Sequence, residues 1–128
     1  MIQEHKELLI KDLCARLPYG VKYMKYSWGY DLDQEIPEVE VLECVDKNGY
    51  ISHTKVYTVE DIKPYLFPLS AMTIEQRQEF DSTLKYLQME EIDIWTTSTY
   101  DWCNKNHFDY RGLIYKGLAI DATNKNIY

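Results

Sequence analysis

An α+β fold, with helices and strands segregated along the chain, is what this sequence predicts, and three local patterns carry that expectation. Residues 2 to 17 hold an apolar stripe at helical spacing. An Asn-Gly turn separates two runs of strand-like composition, and a Thr-x-x-Gln box opens a second helix beyond residue 73. The expected architecture is an N-terminal helix, about three antiparallel strands including a hairpin at 38–59, and an α-rich C-terminal half. No repeat or long linker divides the chain, so residues 1–128 are expected to form a single domain.

The first helix follows from Ile2, Leu9, Leu13 and Leu17, with Ile10 and Cys14 beside them. Lys6, Glu7, Lys11, Asp12 and Arg16 are assigned to its solvent face, and Pro18 ends it. The aromatic-rich run Tyr19 to Trp28 reads as a strand, with Val21, Tyr23 and Lys25 sharing one face. Gly29 to Pro37 is a polar loop. Glu38 to Val45 and Tyr50 to Val59 are the arms of the predicted hairpin. Asp46-Lys47-Asn48-Gly49 supplies its turn, because Asn and Gly tolerate positive φ.

Thr73 and Gln76 form the capping box of a helix expected to run to about Met89, burying Ile74, Phe80, Leu84 and Leu87. The run Thr96-Thr97-Ser98-Thr99 offers N-caps for a short helix over Tyr100 to Asn106. A final short helix is expected within Tyr110 to Ala122, and Asn124 to Tyr128 is expected to fray.

Composition restricts the function classes. Hydrophobic residues make up 45% and charged residues 27% of the 128, which excludes wholesale disorder. The net charge of −7 opposes phosphate-rich partners, so nucleic acid is a disfavoured ligand. Seven acids lie between Asp31 and Asp46 with no Lys or Arg among them. That patch reads as a solvated loop and strand edge, or as a face for a basic partner. Twelve tyrosines suit half-buried sheets and recognition surfaces. Cys14, Cys44 and Cys103 form no CxxC pair and read as reduced core residues of a cytoplasmic protein. The chain begins without a signal peptide's apolar run, and no segment approaches the roughly 20 apolar residues of a membrane span.

No catalytic motif is present: the sequence has no GxSxG, Walker A loop, GxGxxG or HExxH. No cofactor and no metal are expected. The densest polar and aromatic cluster runs from Trp102 to Gly112, and Trp102, His107, Asp109, Tyr110 and Arg111 are its candidate binding residues. Cys103 and His107 have spacing for two metal ligands, with Asp109 or His53 to add, but a core cysteine and a helix-closing histidine explain them as well. Cys14 with His53, or Cys103 with His107, are conceivable nucleophile pairs. Asp109 and Arg111 read as a local ion pair or as an anion contact.

Three segments carry a family resemblance: Leu17-Pro18-Tyr19-Gly20-Val21, Asp61 to Leu66 with Pro68 to Thr73, and His107 to Ile114 with Gly117-Leu118-Ala119. Together they resemble short uncharacterised proteins of Bacteroidales gut bacteria and their phages or mobile elements. The resemblance implies a bacterial or phage cytoplasmic setting but no activity. It also implies that the turn at 64–68 and the His107–Gly112 loop pack together on one surface. Phe67 stands where that pattern has an arginine. The expected function is a non-enzymatic interaction or accessory domain with a protein partner and no membrane, its oligomeric state open. The alternatives are a small enzyme or anion/nucleotide-binding protein using the His107–Arg111 loop, and an acidic phage protein that blocks a DNA-binding partner.

Overall fold

A computed structural model describes residues 1–25, 38–51 and 58–128. Helix α1 covers Gln3–Arg16, and a 3-10 turn over Leu17–Tyr19 follows it. Gly20 sits at φ 68, in the left-handed region, and lets the chain reverse into strand β1, Lys22–Lys25. Strand β2 is Glu38–Val41 and strand β3 is Ile62–Pro68. Then come α2 (Ile74–Thr83), β4 (Lys85–Leu87), β5 (Ile92–Ile94), α3 (Thr97–Lys105), β6 (Phe108–Asp109) and β7 (Ile120–Asp121). The α+β class is therefore observed.

The main sheet runs β2-β1-β3-β6, and β7 also pairs with β3. β1 is antiparallel to both β2 and β3, whereas β6 and β7 run parallel to β3. β4 and β5 form a separate antiparallel pair. One apolar core lies between α1 and the sheet, around Leu9, Leu13, Val21, Ile62, Leu66 and Leu113. A second, more aromatic core joins Phe80, Cys103 and Phe108. Val21 and Tyr23 are buried as the alternation requires.

Several expectations need revision. The Asp46–Gly49 turn forms, with Gly49 N–H donating to Asp46 C=O at 3.0 Å, and Tyr50 bridges Thr58. β2 pairs with β1, and Leu42 N–H extends that ladder by donating to the Val21 carbonyl at 2.8 Å. The hairpin's returning arm at 52–57 lies outside the described residues, as do His53, Trp28 and the loop at 29–37. Val39 and Val41 are exposed, and Leu42 is the buried residue there. The C-terminal half carries its two helices together with five short strands.

Helix α2 starts at the expected capping box but stops at Thr83. The Thr83 hydroxyl bonds the Phe80 carbonyl, and the Thr83 carbonyl accepts the hydroxyls of Thr96 and Thr99. The end of α2 is thus tied to the start of α3, and the residues beyond it become β4. Ile74 stays exposed. No helix forms within 110–122; turns at Gly112 and Gly117, both at φ 73, lead into β7.

The segments at 64–68 and 107–112 do meet: β3 pairs β6, Phe67 opposite Phe108. They meet in the interior, however, with Tyr65, Phe108 and Asp109 all buried.

Residues 124–128 are held in place instead of fraying. The Tyr128 hydroxyl accepts from Lys22 N–H at 2.8 Å and donates to the Tyr65 carbonyl at 2.8 Å, standing in for a ladder bond between β1 and β3. The Lys22 ammonium donates to the Ile127 carbonyl at 2.7 Å. Removing that hydroxyl leaves a backbone donor and an acceptor without their partner. Tyr128→Phe is expected to lower stability by about 1–3 kcal/mol in urea unfolding; an unchanged midpoint would show that the phenol is not part of the sheet.

Candidate functional site

The site is built over a buried ion cluster that begins on α1. Asp12 and Arg16 fall on the same stripe as Leu9 and Leu13, and both are fully buried instead of facing solvent. One Asp12 oxygen accepts from Arg16 Nε at 2.9 Å and the other from Arg111 Nε at 3.1 Å. Arg16 then donates to the carbonyls of Phe108, at 2.6 Å, and Cys103, at 3.4 Å. Both guanidiniums lie over the Tyr110 ring, Arg16 at 5.4 Å and Arg111 at 4.8 Å from its centroid. Arg111 Nη2 also donates to the Tyr110 hydroxyl at 2.9 Å.

Asp109 does not pair with the Arg111 guanidinium. Its carboxylate accepts three backbone N–H groups, from Arg111, Leu113 and Ile114. It shapes the 110–114 loop as an extended Asx turn and so aims Tyr110 and Arg111. His107 closes α3 at φ 64, a left-handed conformation in which histidine is enriched among non-glycine residues. Its carbonyl accepts from Phe67 N–H at 2.8 Å. Its ring stacks on Tyr128, with centroids 3.8 Å apart and planes 10° from parallel. Nδ1 is buried without a hydrogen-bond partner among the described residues. Burial first, then the charges of Arg16 and Lys22, push the His107 pKa down to about 4, so the ring is neutral at pH 7.

Trp102 is likewise structural. Its ring stacks on Phe108, its edge meets Phe80, and its N–H donates to Glu79 at 3.3 Å. Cys103 is buried, and that burial pushes its thiol up to about 11, which opposes a role as nucleophile. Cys14 is exposed and Cys44 half-buried, so only Cys103 behaves as a core cysteine. Among the described residues, no three His, Cys, Asp or Glu side chains converge as a metal site would require. Of the acidic run, Asp46 caps its own turn and Glu40 accepts from the Tyr23 hydroxyl, while 31–37 lie outside the described residues.

An open groove of about 410 Å³ lies beside this scaffold, lined by Ile94, Trp95, Tyr100 and Tyr110. The start of α3 builds it. Thr96 is the N-cap and exchanges hydrogen bonds with Thr99, forming a capping box. Trp95 therefore stands just before the cap and Tyr100 at the fourth helical position, the two places a hydrophobic staple joins. Their ring centroids are 5.2 Å apart. Tyr110 completes a triangle, 5.2 Å from Tyr100 and 6.1 Å from Trp95, with planes mutually inclined by 53° to 65°.

Of the five residues singled out from sequence, only Tyr110 lines this groove. Arg111 braces it from below, Asp109 sets its loop, and His107 and Trp102 serve the packing behind it. The sequence reading missed Ile94, Trp95 and Tyr100. The signal was present in Trp95-Thr96-Thr97-Ser98-Thr99-Tyr100, a cap flanked by an aromatic pair at staple spacing. No protein-family model, curated protein or solved structure matches the chain.

Two outcomes test this geometry. Asp12→Ala strands the buried Arg16 guanidinium and the partly buried one of Arg111, and should lower stability by about 3–5 kcal/mol in denaturant unfolding; a loss under about 1 kcal/mol would show that the cluster is dispensable. His107 makes stability depend on pH. Above its unfolded pKa of about 6.5 both states are neutral and stability is complete. As pH falls from there towards 4, only the unfolded chain gains the proton, so stability declines by up to about 3 kcal/mol and then levels off. Comparing the profile with that of His107→Gln checks it: the variant should lose this component of the slope.

Proposed function

We propose that the chain is a non-enzymatic interaction or accessory domain that engages a protein partner through its aromatic groove, working in the cytoplasm of a bacterial or phage-infected cell. The observation that carries this reading is the convergence of Trp95, Tyr100 and Tyr110 on a groove open to solvent. Trp and Tyr are the side chains that most often anchor interfaces, since each buries a large ring and keeps a polar tip. Four groups with chemical potential are engaged elsewhere. Asp12 and Asp109 are saturated by N–H donors, Cys103 is held as a thiol, and His107 is stacked under Tyr128.

Support for the acidic-blocker alternative rests on residues 31–46, of which the described part is used in turn and sheet contacts. Support for an anion site rests on Arg111, whose guanidinium is already committed to Asp12 and Tyr110.

The groove's neighbours agree with a docking role. Ile92, Ile94, Tyr86 and Met89 on and around the β4–β5 pair are exposed, and Tyr100 itself is 43% exposed. Ile92 and Ile94 share one face of β5, and exposed apolar side chains grouped in this way are a feature of interaction surfaces. A photo-crosslinking benzoylphenylalanine placed at Tyr100 should give a discrete adduct in the producing cell. The same probe at Tyr115, exposed on a different loop, should not. Identical adduct patterns from both positions would overturn the assignment.

A further inference from the structure

The segment that follows β7 is fastened to the rest of the chain at one place. Ala122 still belongs to the sheet, its N–H donating to the Leu66 carbonyl at 2.8 Å. Beyond it, the hydrogen bonds that leave the segment among the described residues all run to Lys22 or through the Tyr128 hydroxyl. Asn124 and Asn126 bend the segment at φ 62 and 53, a left-handed conformation that asparagine reaches more readily than most side chains. Tyr128 is 41% exposed and belongs to neither apolar core, so its ring can withdraw without opening one.

The phenol sits where the sheet could close without it. β1 and β3 pair through Tyr23–Pro64, Met24–Lys63 and Lys25–Ile62, so the next pair in register is Lys22 with Tyr65. Bonded and non-bonded pairs alternate along an antiparallel ladder. Pro64 has no N–H, which makes Tyr23–Pro64 a non-bonded pair and Lys22–Tyr65 the bonded one that follows. In a closed ladder the Lys22 N–H would donate straight to the Tyr65 carbonyl. Here one hydroxyl holds both groups, at 2.8 Å from each. The phenol is a wedge in this rung. Tyr128→Phe keeps a ring in the gap and so holds donor and acceptor apart. Withdrawal of the whole ring lets them meet.

His107 lies beneath the wedge, its ring stacked on Tyr128 and its Nδ1 buried without a partner. The charges that act on it are both positive, Arg16 from α1 and Lys22 from β1. β3 contributes the uncharged Phe67, which packs against Tyr128. Asp109, two residues on in β6, is turned to the backbone N–H groups of 111, 113 and 114. A proton on the His107 ring is therefore opposed while Tyr128 covers it and accepted once water reaches it. Acid favours the uncovered state.

We propose that residues 123–128 form a latch with two positions. Docked, the Tyr128 hydroxyl holds a rung of the β1–β3 ladder open. Withdrawn, the Lys22 N–H closes on the Tyr65 carbonyl and His107 faces water. Protonation of His107 drives the withdrawal.

The test uses the full chain labelled with 13C and 15N. A scalar coupling across the hydrogen bond reports whether the Lys22 nitrogen is bonded to the Tyr65 carbonyl. It should be absent at pH 7 from the wild-type chain and from Tyr128→Phe, and present in Tyr128→Ala. In the wild-type chain, saturation-transfer exchange spectra should show a minor state in which Lys22, His107 and Tyr128 exchange together. Its population should grow by more than about tenfold between about pH 7 and pH 4.5. In His107→Gln that growth should vanish. A folded Tyr128→Ala chain without the coupling overturns the inference. If Tyr128→Ala does not fold, the wild-type spectra decide alone: no minor state at Lys22, or one whose population ignores pH, overturns it equally.

Discussion

The carboxylate of Asp12 is the point through which distant parts of this chain are joined. Its two oxygens hold Arg16, one helical turn away, and Arg111, at a sequence separation of 99. A buried carboxylate is tolerable only when its charge is matched and its lone pairs are used, and here both conditions are met by guanidinium N–H groups. The cluster carries one more positive than negative charge. That excess is spread over the Phe108 and Cys103 carbonyls and the face of Tyr110. The arrangement fixes α1 against the end of α3 and the start of β6. It adds a buried tie between α1 and the loop that presents Tyr110, beside the β3–β6 pairing and the Trp102–Phe108 stack.

The groove depends on this anchoring from one side and on a local capping device from the other. Asp109 shapes the loop bearing Tyr110 by accepting three backbone N–H groups. Thr96 and Thr99 shape the entry to α3, and their hydroxyls also reach the Thr83 carbonyl at the end of α2. Trp95 and Tyr100 are thereby carried on a rigid helix start, while Tyr110 comes from a loop whose backbone is pinned. Three rings from two segments meet with little freedom left, and a preorganised surface of this kind loses less entropy on binding than a mobile one.

Much of the local structure is legible from the chain. Helix α1, the Thr73 capping box, the Asp46–Gly49 turn and the Thr-rich start of α3 all follow from propensities that act over a few residues. The errors share a cause. Asp12 and Arg16 read as solvent-facing because charge ordinarily excludes burial, and only Arg111, far along the chain, makes their burial possible. Residues 85–87 continue a helical pattern in the sequence but become β4, since Thr83 is held by side chains from α3 and β5 offers a ladder. The last residues carry no packing signal of their own, and they are ordered by a phenol that fits between β1 and β3.

The candidate site divides along the same line. By itself the sequence determined the class of the fold, most helix starts and the stretch from Trp102 to Arg111 in which Tyr110 lies, because caps, turns and hydrophobic periodicity are short-range. It also contained the Trp95–Tyr100 staple, although nothing local marks such a pair as part of a ligand surface. Tertiary structure alone decided that His107, Asp109 and Trp102 turn inward as supports while Tyr110 turns outward to join that pair. It also decided that an ion cluster seeded on α1 braces the loop. The reason is physical: the direction of a polar or aromatic side chain is set by which partners can satisfy its charge, hydrogen bonds and ring faces. For these residues the decisive partners lie far away in the chain.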